Sequence, residues 1–566
     1  MVYRLRPNIS IEEKIEVVQN YDEIVESLFE ENRRVIAIET YPGIDVEPLL
    51  SVMKRRVPDI EIILTDDLFL PAQQIFSIIE PDLTNDPVFG RFSHRTFVEF
   101  LNYERVKVAL KKTETDSRVC VIGVCASEII DFDCLVYMDI SRWELQLGYR
   151  KGADNWMAYK ESEFSEKLKR AYYFEWPAGD ELRREKLLRS DFYIDMNNEE
   201  IPKMVTTESL HKILYQFTKQ PFRLVPYFDP GIWGGEWMQK KFKVGQEKHN
   251  LAWSFDGVPE ENSILAKIGD IEFEMPAQIL VDTFPESLLG KKVYGRFGKD
   301  FPIRFDFLDT MNGQNLSLQV HPTLDYAYRH FGAKYTQDES YYILDCEEDA
   351  TVYLGLKNGV SKGDLVNALE LAQISGKFTD EDFVNNFEVK KHDHILIPAG
   401  TVHSSGKNCV VLEISATPNR FTFKLWDWER VDLDGKPRPI SIEHGKQVIN
   451  EKFNTDFVET EFINDTQIVQ TGEGYFEEHT GLHELEAIET RRLNFNVPIK
   501  QNTVESVNML NLVEGDHIRI ESPTRAFDPF DVYYGETFII SEEIQEYTLI
   551  PAGEDTEYKV MKAYIR

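Results

Sequence analysis

Thiols are scarce in this chain: five cysteines in 566 residues (Cys120, Cys125, Cys134, Cys346 and Cys409), with no Cys-x-x-Cys pair. That argues against a disulfide framework and a thiolate zinc site, and it suits a reducing compartment. Positive charge is also short, 63 Lys and Arg against 98 Asp and Glu, for a formal charge of −35. Such a surface repels nucleic acid and anionic membranes, so neither is expected as a partner. Long apolar runs are missing too, since no stretch approaches the ~20 residues of a membrane span. The start, Met-Val-Tyr-Arg-Leu-Arg-Pro, lacks the apolar core of a secretion signal. The expectation is a cytoplasmic protein. What is present, 42% hydrophobic and 12% aromatic residues, suits globular folding. The length exceeds one core and implies about two to four domains.

The first 200 or so residues alternate apolar strands with charged helices. Strands are expected at Arg34 to Glu39, Ile60 to Leu64, Val119 to Val124 and Cys134 to Asp139, with a turn at Pro42-Gly43 and a helix ending near Arg55-Arg56. Residues 160–190 are charged and helical in pattern. That alternation predicts a parallel sheet covered by helices. From about Pro221 turn pairs (Pro230-Gly231, Gly234-Gly235, Asn312-Gly313, Ala399-Gly400, Asp434-Gly435) separate many short strands, as in a sandwich or barrel. One helical insertion is expected at Lys362 to Leu371. Ile397-Pro-Ala-Gly echoes in Ile550-Pro-Ala-Gly, but Glu554 and Asp555 follow the second copy where His403 follows the first. Two related β-barrels are predicted, the second without ligands.

Residues 315–321, Asn-Leu-Ser-Leu-Gln-Val-His, alternate polar and apolar side chains before a turn at Pro322. On a strand, Leu316, Leu318 and Val320 point one way and Ser317, Gln319 and His321 the other, the last two ~7 Å apart. Glu339 opens a second strand, and His403 follows the turn Ile-Pro-Ala-Gly-Thr-Val. Gln319, His321, Glu339 and His403 on three strands would make a mononuclear metal site. The competing reading, unrelated polar residues on a sandwich surface, does not explain their order and shared strand faces. His392 and His394 flank Asp393 in a turn; neither is expected to ligate, and His392 is expected to be solvated.

At these residues the chain resembles the class I mannose-6-phosphate isomerases, zinc enzymes of the cupin fold. The segments that carry the resemblance are Leu316-Ser-Leu-Gln-Val-His-Pro, Glu339-Ser-Tyr-Tyr-Ile-Leu-Asp, Tyr353-Leu-Gly-Leu, Ile397-Pro-Ala-Gly-Thr-Val-His and Trp426-Asp-Trp-Glu-Arg-Val-Asp-Leu-Asp-Gly-Lys-Pro-Arg-Pro, with Gly231-Ile-Trp-Gly-Gly as the opening. It covers roughly Phe222 to the end. The resemblance implies that Gln319, His321, Glu339 and His403 hold one zinc ion. It also implies that a proton moves between C1 and C2 of a sugar phosphate through an enediol. The position of the family's active-site arginine falls on Lys424, expected to stabilise the enediolate. Two family lysines correspond to Gln337 and Asp306. Arg304, on the same strand face as Asp306, and Lys334 are the cations that would compensate. Arg430 is a further candidate substrate contact, as is Arg438, but for both a loop salt bridge is the commoner fate.

Residues 35–53 loosely resemble a P-loop domain of the uridine kinase type. Their loop reads Glu39-Thr-Tyr-Pro-Gly-Ile-Asp-Val-Glu-Pro, with Val46 and Glu47 where Lys and Ser would bind phosphate and magnesium. The expectation is a kinase-like fold without kinase chemistry. The predicted architecture is therefore α/β plus all-β: a degenerate α/β domain over residues 1–205, a metal-binding cupin region with a helical insertion over 206–490, and a ligand-free cupin over 491–566. The predicted function is metal-dependent isomerisation of mannose 6-phosphate to fructose 6-phosphate. The rival is a metal-bearing sugar-binding regulator without turnover, and a nucleoside kinase ranks last.

Overall fold

The apolar run Val35–Thr40 forms β1, an interior strand of a seven-stranded sheet, with Ile36, Ala37 and Ile38 wholly buried. Each of the two isoleucine side chains contributes roughly 1.5–3 kcal/mol when fully withdrawn from water. The structure, a computed structural model, describes residues 3–29, 33–113, 118–416, 421–431, 435, 438–481 and 485–566. Asp434 of the expected Asp434-Gly435 turn and part of the Trp426–Pro439 motif lie outside these residues. The chain divides into two compact units. One comprises Asn8–Gln216 and Ser263–Thr283, and the other Met1–Pro7, Phe217–Asn262 and Phe284–Arg566.

In the first unit the remaining parallel strands are β2 (Ile60–Leu64), β3 (Arg118–Gly123), β4 (Cys134–Asp139) and β5 (Phe192–Asp195). They lie in the order β2-β3-β1-β4-β5, all parallel, and the antiparallel β6 (Lys203–Thr206) extends the sheet past β5. The helix Glu47–Arg56 ends where expected. Residues 160–190 do fold as helices, Phe164–Arg170 and Trp176–Lys186, joined by a π-helical turn. A pairing of distant segments completes the unit: Asn8–Ile11 runs parallel to Ser263–Ile268, which hairpins with Ile271–Pro276.

At the carboxyl end of β1 the crevice of the sheet is filled by the chain itself. The buried Glu39 carboxylate accepts from Cys125 N at 2.6 Å, Ser127 N at 3.1 Å and Ser127 Oγ at 2.7 Å. Tyr41 donates to Asp180 at 2.9 Å, and Asp180 also binds Arg142 and Arg183. A Cβ on Gly179 would lie 2.9 Å from the Pro42 ring, so helix and loop close directly on one another.

The second unit is β-rich. Six strands, β7 (Tyr227–Asp229), β8 (Trp253–Gly257), β9 (Arg304–Asp309), β11 (Glu339–Cys346), β14 (His394–Ile397) and β16 (Cys409–Ser415), form a sheet in the order β14-β11-β16-β9-β8-β7. Five others, β10 (Leu318–Val320), β12 (Thr351–Leu356), β13 (Val384–Glu388), β15 (His403–Ser405) and β17 (Phe423–Trp426), form a second in the order β13-β12-β15-β10-β17. Tyr341, Ile343, Ile395 and Val411 of the first sheet and Val352 and Leu354 of the second share one core. The expected insertion is the helix Lys362–Ser375, started by a capping box at Ser361 and Asp364. Residues 467–565 supply a further six-stranded and a four-stranded sheet with their own core, Leu510, Ile518, Val532 and Leu549 among it.

Candidate metal centre

The site begins with β10, where Leu318 and Val320 are fully buried on one side and Gln319 projects on the other. In register, Gln319 lies opposite both His403 of β15 and Lys424 of β17. Directly opposed residues share a sheet face. His321 follows β10 directly and Glu339 opens β11, both almost wholly buried.

The second nitrogen of each imidazole is tied to main chain. His321 Nδ1 lies 3.0 Å from the carbonyl of Phe421, and His403 Nδ1 lies 2.8 Å from that of Thr401. With Nδ1–H donating to a carbonyl, Nε2 carries a lone pair on the opposite side of the ring. His321 Nε2 is 3.0 Å and His403 Nε2 2.9 Å from the two oxygens of Glu339. One donor atom from each of these three residues falls within 4.8 Å of the others. The Gln319 amide reaches to 3.1 Å from His403 Nε2, and a flip of that amide turns its oxygen inward.

Close as these pairs are, neither His321 Nε2 nor Glu339 Oε1 has a hydrogen-bond partner among the described residues, and both are buried. Lone pairs converging on lone pairs repel unless a cation lies among them, so the donor set fits a divalent metal. Burial works against ionising Glu339, and only positive charge at the His321 and His403 positions holds its carboxyl well below the ordinary range, the charge that a cation among the donors would supply.

Beyond the donors, the inner side of the larger sheet carries a row that the sequence reading did not single out. Tyr341 of β11 lies opposite Glu413 of β16, and Glu413 opposite Asp306 of β9. Glu413 is 7% exposed; burial first, then Glu339 and Asp306, push its carboxyl well above the ordinary range. Its signal in the sequence was a lone carboxylate within the apolar strand Cys-Val-Val-Leu-Glu-Ile-Ser. Arg304 is buried on the same side of β9, its guanidinium 3.0 Å from Asp306, so its charge is partly balanced there. Gln337 donates to Glu339 at 3.0 Å.

A cationic cluster sits along the same strand as Gln319. Ser317 donates to Asp427 at 2.8 Å, and the same carboxylate oxygen takes Arg430 at 2.6 Å and Arg438 at 3.2 Å. Arg430 also donates to the Asn315 carbonyl at 2.6 Å. Lys424 is half-buried, and Lys334 is exposed in the segment before β11. Trp428 donates its indole N–H to the Leu316 carbonyl at 2.9 Å, and Trp426 is buried beside Phe378. His392 differs from expectation: it adopts φ +75° and bridges Tyr342 at 2.7 Å and Glu514 at 2.9 Å. His394 is wholly buried against Ser340 Oγ at 2.9 Å.

With this geometry in hand, similarity to known proteins can be set beside it. A family model described as a domain of unknown function (DUF8485) matches residues 20–219. Mannose-6-phosphate isomerase ManA of Bacillus subtilis (strain 168) is 27% identical over 234 residues, 41% of this chain and 69% of that protein. The probable mannose-6-phosphate isomerase GmuF of the same organism is 28% identical over 232 residues, 40% of this chain and 68% of that protein. Among solved structures, mannose 6-phosphate isomerase from Bacillus subtilis aligns with a TM-score of 0.49 at 19% identity, covering 61% of this chain and 99% of that one. Over about 40% of its length the chain is homologous to mannose-6-phosphate isomerases.

Proposed function

We propose that this protein is a metal-dependent aldose–ketose isomerase acting on a sugar phosphate, with mannose 6-phosphate and fructose 6-phosphate as the default pair. The observation that carries the reading is the convergence of His321, Glu339 and His403, with Gln319 beside them, in the buried interior. Homology to mannose-6-phosphate isomerases supports the reaction class. Zinc is the cation this nitrogen and oxygen set suits. When bound with an open position it polarises a carbonyl and organises water.

The chain's own residues supply the rest. Lys424, opposite Gln319 in register, is the cation for charge developing on the enediolate oxygens. Glu413 is the carboxyl on the inner face of the sheet that carries the proton between C1 and C2; its raised affinity for protons suits that exchange. Ser317, Arg430 and Arg438 form the anion site for the phosphate, the Asp427 carboxylate being the group that occupies their donors here. Arg304 and Lys334 remain substrate contacts of lesser reach, Arg304 through its pairing with Asp306.

A second reading, a metal-bearing sugar-phosphate binder without turnover, draws on Asp306 and Gln337, two neutral or acidic residues where the resembled family has lysines. A coupled assay on zinc-loaded protein separates the two. The isomerase reading expects fructose 6-phosphate from mannose 6-phosphate, abolished by chelation. Binding of mannose 6-phosphate without conversion would favour the regulator.

We read the β-rich unit as two cupin barrels, the second lacking ligands, and the other unit as a P-loop-like fold without kinase chemistry. The strand order β2-β3-β1-β4-β5 and the crevice filled by Glu39 and Tyr41 support the latter. Among the described residues no helix is long and apolar enough to cross a membrane, in keeping with a cytoplasmic site of action.

A further inference from the structure

Behind β11, on the side away from the metal donors, the second unit encloses a cavity of about 390 Å³. That is a volume suited to a small molecule. Phe297, Leu324, Ile414, Phe453 and Ile488 give it an apolar wall. Glu486 breaks that wall: it is 7% exposed, and its Oε1 has no hydrogen-bond partner among the described residues. An unpaired polar group in an apolar enclosure is costly and is rarely left without a partner.

The cavity holds a second carboxylate, Asp338, whose Oδ1 accepts from Ala399 N at 2.9 Å. Two cations are near. Arg296 is exposed and lies with its guanidinium 5.1 Å over the Phe297 ring. Arg566 donates to the main-chain carbonyl of Glu486. Burial, with Asp338 adding to it and Arg566 opposing, raises the Glu486 carboxyl well above its ordinary range.

We propose that this cavity binds a small organic amine with an apolar body, its nitrogen donating to Glu486. An amine takes up the proton that burial leaves on Glu486 and forms an ion pair with it, which an anion cannot do. A neutral alcohol offers one donor, whereas an ammonium offers three and a compensating charge, and charge-assisted bonds are about twice as strong as neutral ones. The net charge of −35 favours approach of a cation. The site stands apart from the isomerase reading, although Asp338 directly precedes Glu339 and the Asp338–Ala399 bond holds the turn that leads to His403.

Calorimetric titration of the full chain with benzylamine and, separately, benzyl alcohol tests this. Benzylamine is expected to bind about tenfold tighter or better, and Glu486→Gln to bring the two within roughly threefold. Equal affinities in the wild type, no binding of either, or a preference that survives Glu486→Gln would overturn it. A wild-type crystal soaked in benzylamine gives a readout that needs no variant: its nitrogen is expected within hydrogen-bond reach of Glu486. Density elsewhere, or none in the cavity, contradicts the proposal.

Discussion

His403 Nε2 lies 2.9 Å from Glu339 Oε1 while its Nδ1 is held 2.8 Å from the Thr401 carbonyl. The backbone thus fixes which nitrogen faces the carboxylate, and the ring cannot turn away without breaking a buried hydrogen bond. That pairing is prepared by the Pro398-Ala-Gly turn, where Gly400 adopts φ +92° and a Cβ would meet the Val448 carbonyl at 2.9 Å.

Removing one donor should release the metal without unfolding the chain. His403→Ala is expected to drop zinc from about one to under ~0.1 per chain and to cost the several kcal/mol of stability that saturating ligand confers, about 2.7 kcal/mol at a hundredfold excess over Kd. Metal analysis with thermal melts in the presence and absence of zinc checks this.

Lys424→Ala should leave zinc content near one per chain and lower kcat by about 10²–10³-fold, the usual loss when one donor to a developing oxyanion is removed. Wild-type kcat in that variant would make the lysine a bystander.

Glu413→Gln is expected to lower kcat about 10²–10⁴-fold, the range for loss of a general acid–base group, again with metal retained. A drop in zinc binding instead would mean that Glu413 supports the donors and does not move protons.

Arg430→Ala should raise KM for a sugar phosphate by roughly tenfold or more through loss of a charge-assisted bond, with kcat less affected. Competition by inorganic phosphate should weaken in parallel.

His394 gives a pH dependence of stability. Burial first, then Arg492, push its imidazole down to about 3. Unfolded chains bind its proton below about pH 6.5, whereas the folded chain resists protonation until about pH 3. The stability it protects is therefore present above pH 6.5 and lost as pH falls through that window, by at most about 1.4 kcal/mol per pH unit. His394→Gln should flatten the fall in denaturation midpoint between roughly pH 6.5 and 4.

How much of this could be read beforehand depended on whether the information was local. Alternation over residues 315–321 gave the faces of β10 correctly, with Leu318 and Val320 inward and Gln319 opposite, because a strand has period two. The helix at Lys362 was legible from its apolar spacing, though it runs on to Ser375 past exposed Leu371 and Ile374, where the small Ala372 is the buried side chain and marks the pattern only weakly. Pairing of Asn8–Ile11 with Ser263–Ile268 was not legible, since nothing in either short segment names a partner some 250 residues away. Glu413 was missed for the same reason: only cross-strand register brings it to Asp306 and Tyr341. His392 misled because a histidine at positive φ carries no sequence mark, and its two partners come from distant strands.

The most direct test is X-ray absorption at the zinc edge on purified, zinc-loaded protein, beside the His321→Ala/His403→Ala double variant. The account predicts one zinc per chain with nitrogen and oxygen neighbours at about 2.0–2.2 Å, two of them imidazoles, and none retained in the variant. Sulfur neighbours, or zinc that stays bound after both histidines are gone, would contradict it.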